Sequence, residues 1–210
     1  MRTETGSAIG ARDSVSEVLS ALSSCRLCAE RFAGTVTAHR PRPVFQIDPR
    51  ARLLIASQAP GMRAHKSGLP FDDPSGDRLR SWMGIGRETF YDASRIAIVP
   101  MGFCFPGYDD KGGDLPPPRL CSETWRADVL RLLPRLELIL VIGQYAQRWH
   151  LGPPPKGGVT ARVAAWRDAP SGLLPLPHPS WRNTAWLKRN PWFEAEVLPV
   201  LRARIAALVG

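Results

Sequence analysis

Four groups of residues in this sequence are of types that do chemistry. His178-Pro179-Ser180 closes the apolar run Leu173-Leu174-Pro175-Leu176-Pro177. Gln58-Ala59-Pro60-Gly61 closes the run from Leu53 to Ser57, and a loop through Phe71, Asp72 and Asp73 follows. Cys25, Cys28, Cys104 and Cys121 are the only cysteines. Trp181, Trp186 and Trp192 alternate with Arg182, Lys188 and Arg189. A histidine held at a strand end by a following proline can stabilise negative charge on a departing group. A carboxylate can activate water. Asp72 and Asp73 would repel each other if both pointed inward. One is therefore expected to face the site while the other caps the next helix, as Asp77 also can. Gln58 can orient a water through its amide but cannot take its proton. Two cysteine pairs can close one metal centre; alternatively, all four are buried thiols acting as small apolar residues. Tryptophans interleaved with basic residues suit nucleic acid, while Trp192 reads as core beneath the last helix.

Apolar periodicity predicts the elements that position these groups. Ser14-Val15-Ser16-Glu17 has the form of a capping box, and Val15, Val18, Leu19 and Leu22 share a helical face. That helix should end near residues 25–28. Strands are predicted at 52–57, 95–100, 136–142 and 173–177. Helices are predicted at about 77–84, from 122 until Pro134 ends it, at 144–151, and over 192–208. Residues 60–76 and 101–121 read as loops, the latter rich in proline and glycine. Strands alternating with helices imply an α/β fold, three layers α/β/α around a central, mostly parallel four-stranded sheet. Residues 1–12 read as disordered and 13–210 as a single domain. The strand–turn–helix after Ser57 puts backbone N–H groups at the C-terminal edge of that sheet, where the chemistry is expected.

The chain has 210 residues, enough for one such domain, and a formal charge of +9. That balance favours a polyanionic partner, nucleic acid ahead of an anionic membrane surface, with an Arg-rich solvated surface as the plainer reading. No apolar run reaches membrane-spanning length and no leader pattern opens the chain, so a cytoplasmic, monomeric protein is expected. Structural disulfides are not expected there.

Taken together, these segments resemble the uracil-DNA glycosylase superfamily. Gln58-Ala59-Pro60-Gly61 with Ser67-Gly68-Leu69-Pro70-Phe71 looks like its first active-site motif, and His178-Pro179-Ser180 looks like its second. The cysteine spacing is similar to that of the iron–sulfur, family 4 branch. The extension Ser180-Trp181-Arg182-Asn183 looks like the wedge of the single-strand-selective monofunctional branch. The resemblance implies that Phe71 stacks on a flipped base within a pocket formed with Ala59, Pro60 and Gly61. His178 would donate to the base oxygen; by the chemistry of their side chains rather than the resemblance, Gln58, Asp72 or Asp73 would serve the attacking water. Pro179, Ser180, Trp181, Arg182 and Asn183 would hold the gap in DNA. Cys25, Cys28, Cys104 and Cys121 would bind a [4Fe-4S] cluster. Family 4 enzymes carry Glu where this chain has Gln58, and other branches carry Asp or Asn where it has Ala59. The family's base-reading Asn is missing too, with Pro100 or Gly102 in its place. Two functions are therefore expected: a monofunctional DNA glycosylase for uracil or another deaminated base, or a binder of damaged or single-stranded DNA with little cleavage.

Overall fold

A computed structural model describes residues 14–209; the expectation for residues 1–12 lies outside them. Helix α1 (Val15–Ser23) opens on the full capping box. Ser14 Oγ accepts from the Glu17 N–H, and the Glu17 carboxylate accepts from the Ser14 N–H, both at 3.2 Å. A short α2 (Ala29–Ala33) follows. Then come β1 (Leu53–Ala56), α3 (Met62–Ser67), α4 (Pro74–Met83), α5 (Arg87–Tyr91) and β2 (Ile96–Ile98). The second half runs α6 (Arg119–Arg131), β3 (Leu138–Ile142), α7 (Gly143–Leu151), α8 (Gly158–Ala164), β4 (Leu173–Leu176), α9 (Thr184–Arg189) and α10 (Leu198–Val209).

The four strands form one sheet in the order β2-β1-β3-β4, and every pairing is parallel. Leu53 aligns with Ile96 on one side and Leu138 on the other, and Ile139 aligns with Leu173. A parallel sheet is covered on both faces, so its strands are apolar throughout rather than alternating. Alternate residues divide between two cores. Leu53 and Ile55 pack with Leu79, Phe193, Leu201 and Ile205 under α4 and α10. Leu54 packs with Val18, Leu22, Trp125 and Val129 under α1 and α6. This is the three-layer α/β/α arrangement.

The chain passes from β1 outward to β2, then back across β1 to β3. That reversal leaves a crevice at the carboxyl ends of the strands, the place where open α/β sheets bind ligands. Arg126 stiffens one edge of it. Its side chain is buried, and Nη1 donates to the carbonyls of Val99 and Pro100 at 3.2 and 3.3 Å, just past β2. Burial lowers its pKa to about 9.

Three local features depart from the sequence expectations. Helix α4 begins at Pro74, not 77, because Asp73 is its N-cap and Pro74 occupies the first helical position, where a missing N–H costs nothing. Residues 60–76 are not all loop, since α3 sits between Gly61 and a left-handed Gly68. The last helix is not continuous: Phe193–Val197 is a π-helical turn that leads into α10. Pro199, which lacks an N–H, lies just past that turn, and the wider register absorbs the break.

Among the described residues, Phe71 is one of two non-glycine residues with positive φ, at 56°. A Cβ on Gly76 would lie 1.8 Å from the Phe71 carbonyl oxygen. The first turn of α4 therefore closes on this strained residue only with glycine at 76. Gly76→Ala should lower stability by about 1–3 kcal/mol through overpacking, read as a fall in melting temperature of roughly 2–4 °C per kcal/mol. Gly86→Ala is the control, since a Cβ there meets nothing within 4 Å. Equal melting temperatures for the two variants would contradict this.

Candidate functional site

All four strand ends open into one groove. Ser57, Gln58, Ala59, Pro60 and Gly61 follow β1, Pro100 follows β2, Gln144 and Tyr145 follow β3, and His178 follows β4. The groove holds about 2450 Å³ of atom-free space, open solvent included.

His178 is partly exposed at the groove, held there by a turn with several ties. The Ser180 backbone N–H donates to His178 Nδ1 at 3.2 Å. A backbone N–H can only donate, so Nδ1 carries the lone pair and the neutral ring carries its proton on Nε2. Among the described residues Nε2 has no partner. Asn183 Nδ2 donates to the His178 carbonyl at 2.7 Å, and Arg78, reaching over from α4, donates to the Ser180 carbonyl at 2.8 Å. Burial of the ring holds its pKa below the ordinary histidine range, and the charge of Asp73 works against that only in part. The imidazole is thus a neutral donor at neutral pH. Gly143, at φ 74°, starts α7 against the His178 ring.

The two adjacent carboxylates separate. Asp73 lines the groove and caps α4 at once, Oδ1 accepting from the Gly76 N–H at 2.9 Å. Its Oδ2 is the nearest group to Gly61, 3.8 Å from where a Cβ would stand. Asp72 is not among the groove residues. It pairs with Arg87 at 2.9 Å, and that bond, with a second from Ser67, holds its carboxyl below the usual carboxylate range. A water-activating role does not fit Asp72, because its charge is directed outward. Phe71 lines the groove, its ring edge-on to Phe90 at 6.2 Å. The Tyr91 hydroxyl donates to the Pro70 carbonyl at 3.0 Å. Buried Arg80 reaches the Phe71 carbonyl at 3.4 Å and pairs with Asp77 at 2.6 Å. The Gln58 carbonyl accepts from the Gly102 N–H at 3.0 Å, while its side-chain amide has no partner among the described residues.

Of the five residues from Pro179 to Asn183, Trp181 and Arg182 are the exposed ones. Trp181 is 71% exposed, and the Arg182 guanidinium lies 5.6 Å from its ring centre. Pro179 is buried, and Asn183 lines the groove while its amide donates to the His178 carbonyl. Sequence reasoning missed three groups here. Arg63 on α3 is exposed, lines the groove and has no described partner. Arg78 acts across a long chain separation that no local pattern reveals. Asp114 reaches the groove because Tyr108 and Asp114 pair antiparallel around Gly112-Gly113, a hairpin signal within the supposed loop. Partial burial raises the Asp114 carboxyl above its usual range, Arg182 opposes this, and Asp73 and Asp109 add to it.

The cysteines meet elsewhere. All four line one small apolar pocket, with about 330 Å³ of atom-free space, open solvent included, walled by Leu22, Phe32, Pro41, Pro43, Phe103 and Trp125. Burial, reinforced by neighbouring thiols, raises Cys104 to about 12 and Cys121 to about 11. Among the described residues no three of His, Cys, Asp or Glu are placed to hold a single metal ion. The four thiols line the same pocket, and thiolates are the donor type that zinc and iron–sulfur centres both use.

With this geometry in view, the chain can be compared with known proteins. The sequence profile of the uracil DNA glycosylase superfamily matches residues 44–202. The protein belongs to that superfamily. A solution NMR structure of a candidate uracil DNA glycosylase from Methanosarcina acetivorans is also similar, with 18% identity and a TM-score of 0.43 over 77% of this chain and 97% of that one. A likeness at that score adds nothing to the family match. No described helix is long and apolar enough to cross a membrane.

Imidazole ¹⁵N shifts should show His178 protonated on Nε2 at pH 7 and titrating below its ordinary pKa of about 6.5. An Nδ1-protonated ring, or a midpoint above that value, would overturn the donor geometry.

Proposed function

We propose that this protein is a monofunctional DNA glycosylase that hydrolyses the N-glycosidic bond of uracil or a related deaminated base extruded into the groove. One observation carries the reading: a neutral imidazole with Nε2–H unpartnered, beside a carboxylate, in the groove of a superfamily member. As the C1′–N bond breaks, its electrons pass to the base, and negative charge gathers on the base oxygen while the sugar becomes cationic. His178 Nε2–H donates to that oxygen. Phe71 stacks on the base. Water adds to C1′ and gives up its proton toward Asp73, which lines the same groove as Gln58. Gln58 orients that water. Trp181 and Arg182 fill the space the nucleotide vacates, which costs a few kcal/mol of unstacking to open.

Cys25, Cys28, Cys104 and Cys121 would hold a [4Fe-4S] cluster, supplying a covalent brace between the N-terminal segment and the 101–121 region. Burial raises the pKa values of Cys28, Cys104 and Cys121, so these thiols lose their protons as metal binds. Protein purified anaerobically should be brown and contain iron; colourless, iron-free protein would remove the cluster from this account.

Uncharged Gln58 gives specific support to a second reading, a binder with little cleavage. Single-turnover excision separates the two. His178→Ala should lose ~100- to 1,000-fold while still binding abasic DNA. Asp73→Asn should lose more than Asp72→Asn, and Gln58→Ala should lose least. A wild-type protein that binds uracil-containing oligonucleotides but leaves no alkali-labile site would favour the binder. Arg182→Ala should reduce excision from duplex more than from single strands, since only the duplex needs its gap held open. Equal losses on both would make Arg182 a simple phosphate contact.

A further inference from the structure

We propose that Arg42 is a positioning residue that ties the cysteine cavity to the base-stacking loop, so that the arrangement of the thiols fixes where Phe71 stands. The functional half of this rests on reading the groove as a base pocket. Residues 41–44 run between the two cavities. Pro41 and Pro43 wall the cysteine cavity, while Val44 lines the groove and donates its N–H to the Phe103 carbonyl at 2.7 Å. The backbone N–H of Arg42 faces Cys104. The Arg42 side chain leaves in the other direction. Its Nη1 donates to the carbonyls of His65 and Lys66, at 2.8 and 2.6 Å, in the last turn of α3.

That turn is where the loop to Phe71 begins. Gly68 ends α3 at φ 79°, and a Cβ there would stand 2.5 Å from Arg42 Nη2. The guanidinium therefore fills the space a side chain at 68 would need. Among the described residues no carboxylate pairs with Arg42, so its charge goes to the helix carbonyls, where bonds from a cation are strongest. A residue held at positive φ, as Phe71 is, persists only when its surroundings over-determine it. Arg80 and Tyr91 hold the loop near Phe71 itself. Arg42 holds its upstream end. Arg42 precedes the residues matched by the superfamily profile, and the carbonyls it holds lie within them.

The test compares wild type, Arg42→Ala and Arg42→Lys in two measurements. Hydrogen exchange on the free protein reads the tie itself. Amides of residues 65–71 should exchange about tenfold faster in Arg42→Ala, the weight of one charge-assisted bond, with Lys restoring part of the protection. Exchange in the strands should stay unchanged. No change at 65–71, or a uniform rise through the whole chain, would overturn the tie. The second measurement is the ratio of affinities for abasic and undamaged oligonucleotides. It should fall about tenfold in Arg42→Ala, with partial rescue by Lys; an unaltered ratio would overturn the positioning role. A wild-type protein with no such preference would overturn the groove reading instead, leaving the exchange result to decide the tie.

Discussion

The hydrogen bond from the Ser180 backbone N–H to His178 Nδ1 governs what the groove can do. It fixes the tautomer, and the tautomer fixes the chemistry. With Nδ1 occupied, the ring presents N–H to the groove and cannot act there as a base. The rest of the site follows from keeping that bond in place. Arg78 and Asn183 secure the two carbonyls of the turn, at Ser180 and His178. Burial keeps the ring neutral. A neutral donor is suited to a base that departs as an anion, because it offers a strong bond without first stabilising the intact substrate as a cation would.

A second constraint acts on the opposite side of the groove. Phe71 holds a backbone conformation that costs energy, and Gly76, Arg80, Tyr91 and Arg42 are arranged about its loop. Asp73 joins the two sides. It caps α4, which carries Arg78 to the His178 turn, and its charge also reaches the imidazole. Its place in the groove is thus set by helix geometry, and its role in capping and its proposed role toward water are compatible because the two oxygens are separate. Gln58 in place of a carboxylate spares the groove a negative charge near Asp73 and Asp114, two acids that already repel.

The fold was legible where burial is two-sided. Each strand is a continuous apolar run, and its neighbours confirm the parallel sheet. The ends of these runs marked the groove, and the glycosylase resemblance agreed with the superfamily match. What stayed hidden depends on geometry rather than composition. Met62-Arg63-Ala64-His65-Lys66-Ser67 has too few apolar positions to show a helical period, so α3 read as loop. Asp72 and Asp73 are chemically alike, and only the helix start at Pro74 separates them; with the helix read as starting near Asp77, either one could have been the cap. The ring orientation of His178 depends on a backbone N–H two residues on, and the tie to Arg78 spans 102 residues of chain. Neither leaves a trace in local spacing.

The central assignment is that His178 stabilises the departing base, and the dependence of excision on leaving-group acidity tests it most directly. Single-turnover rates would be measured for a series of 5-substituted uracils in one oligonucleotide, with wild type and His178→Ala. A donor to the base oxygen carries part of the developing charge, so wild type should depend only weakly on leaving-group pKa. The variant should show a markedly steeper slope, its loss largest for the least acidic base. Parallel lines for the two proteins would contradict the assignment, since they would mean that His178 does not sense charge on the base.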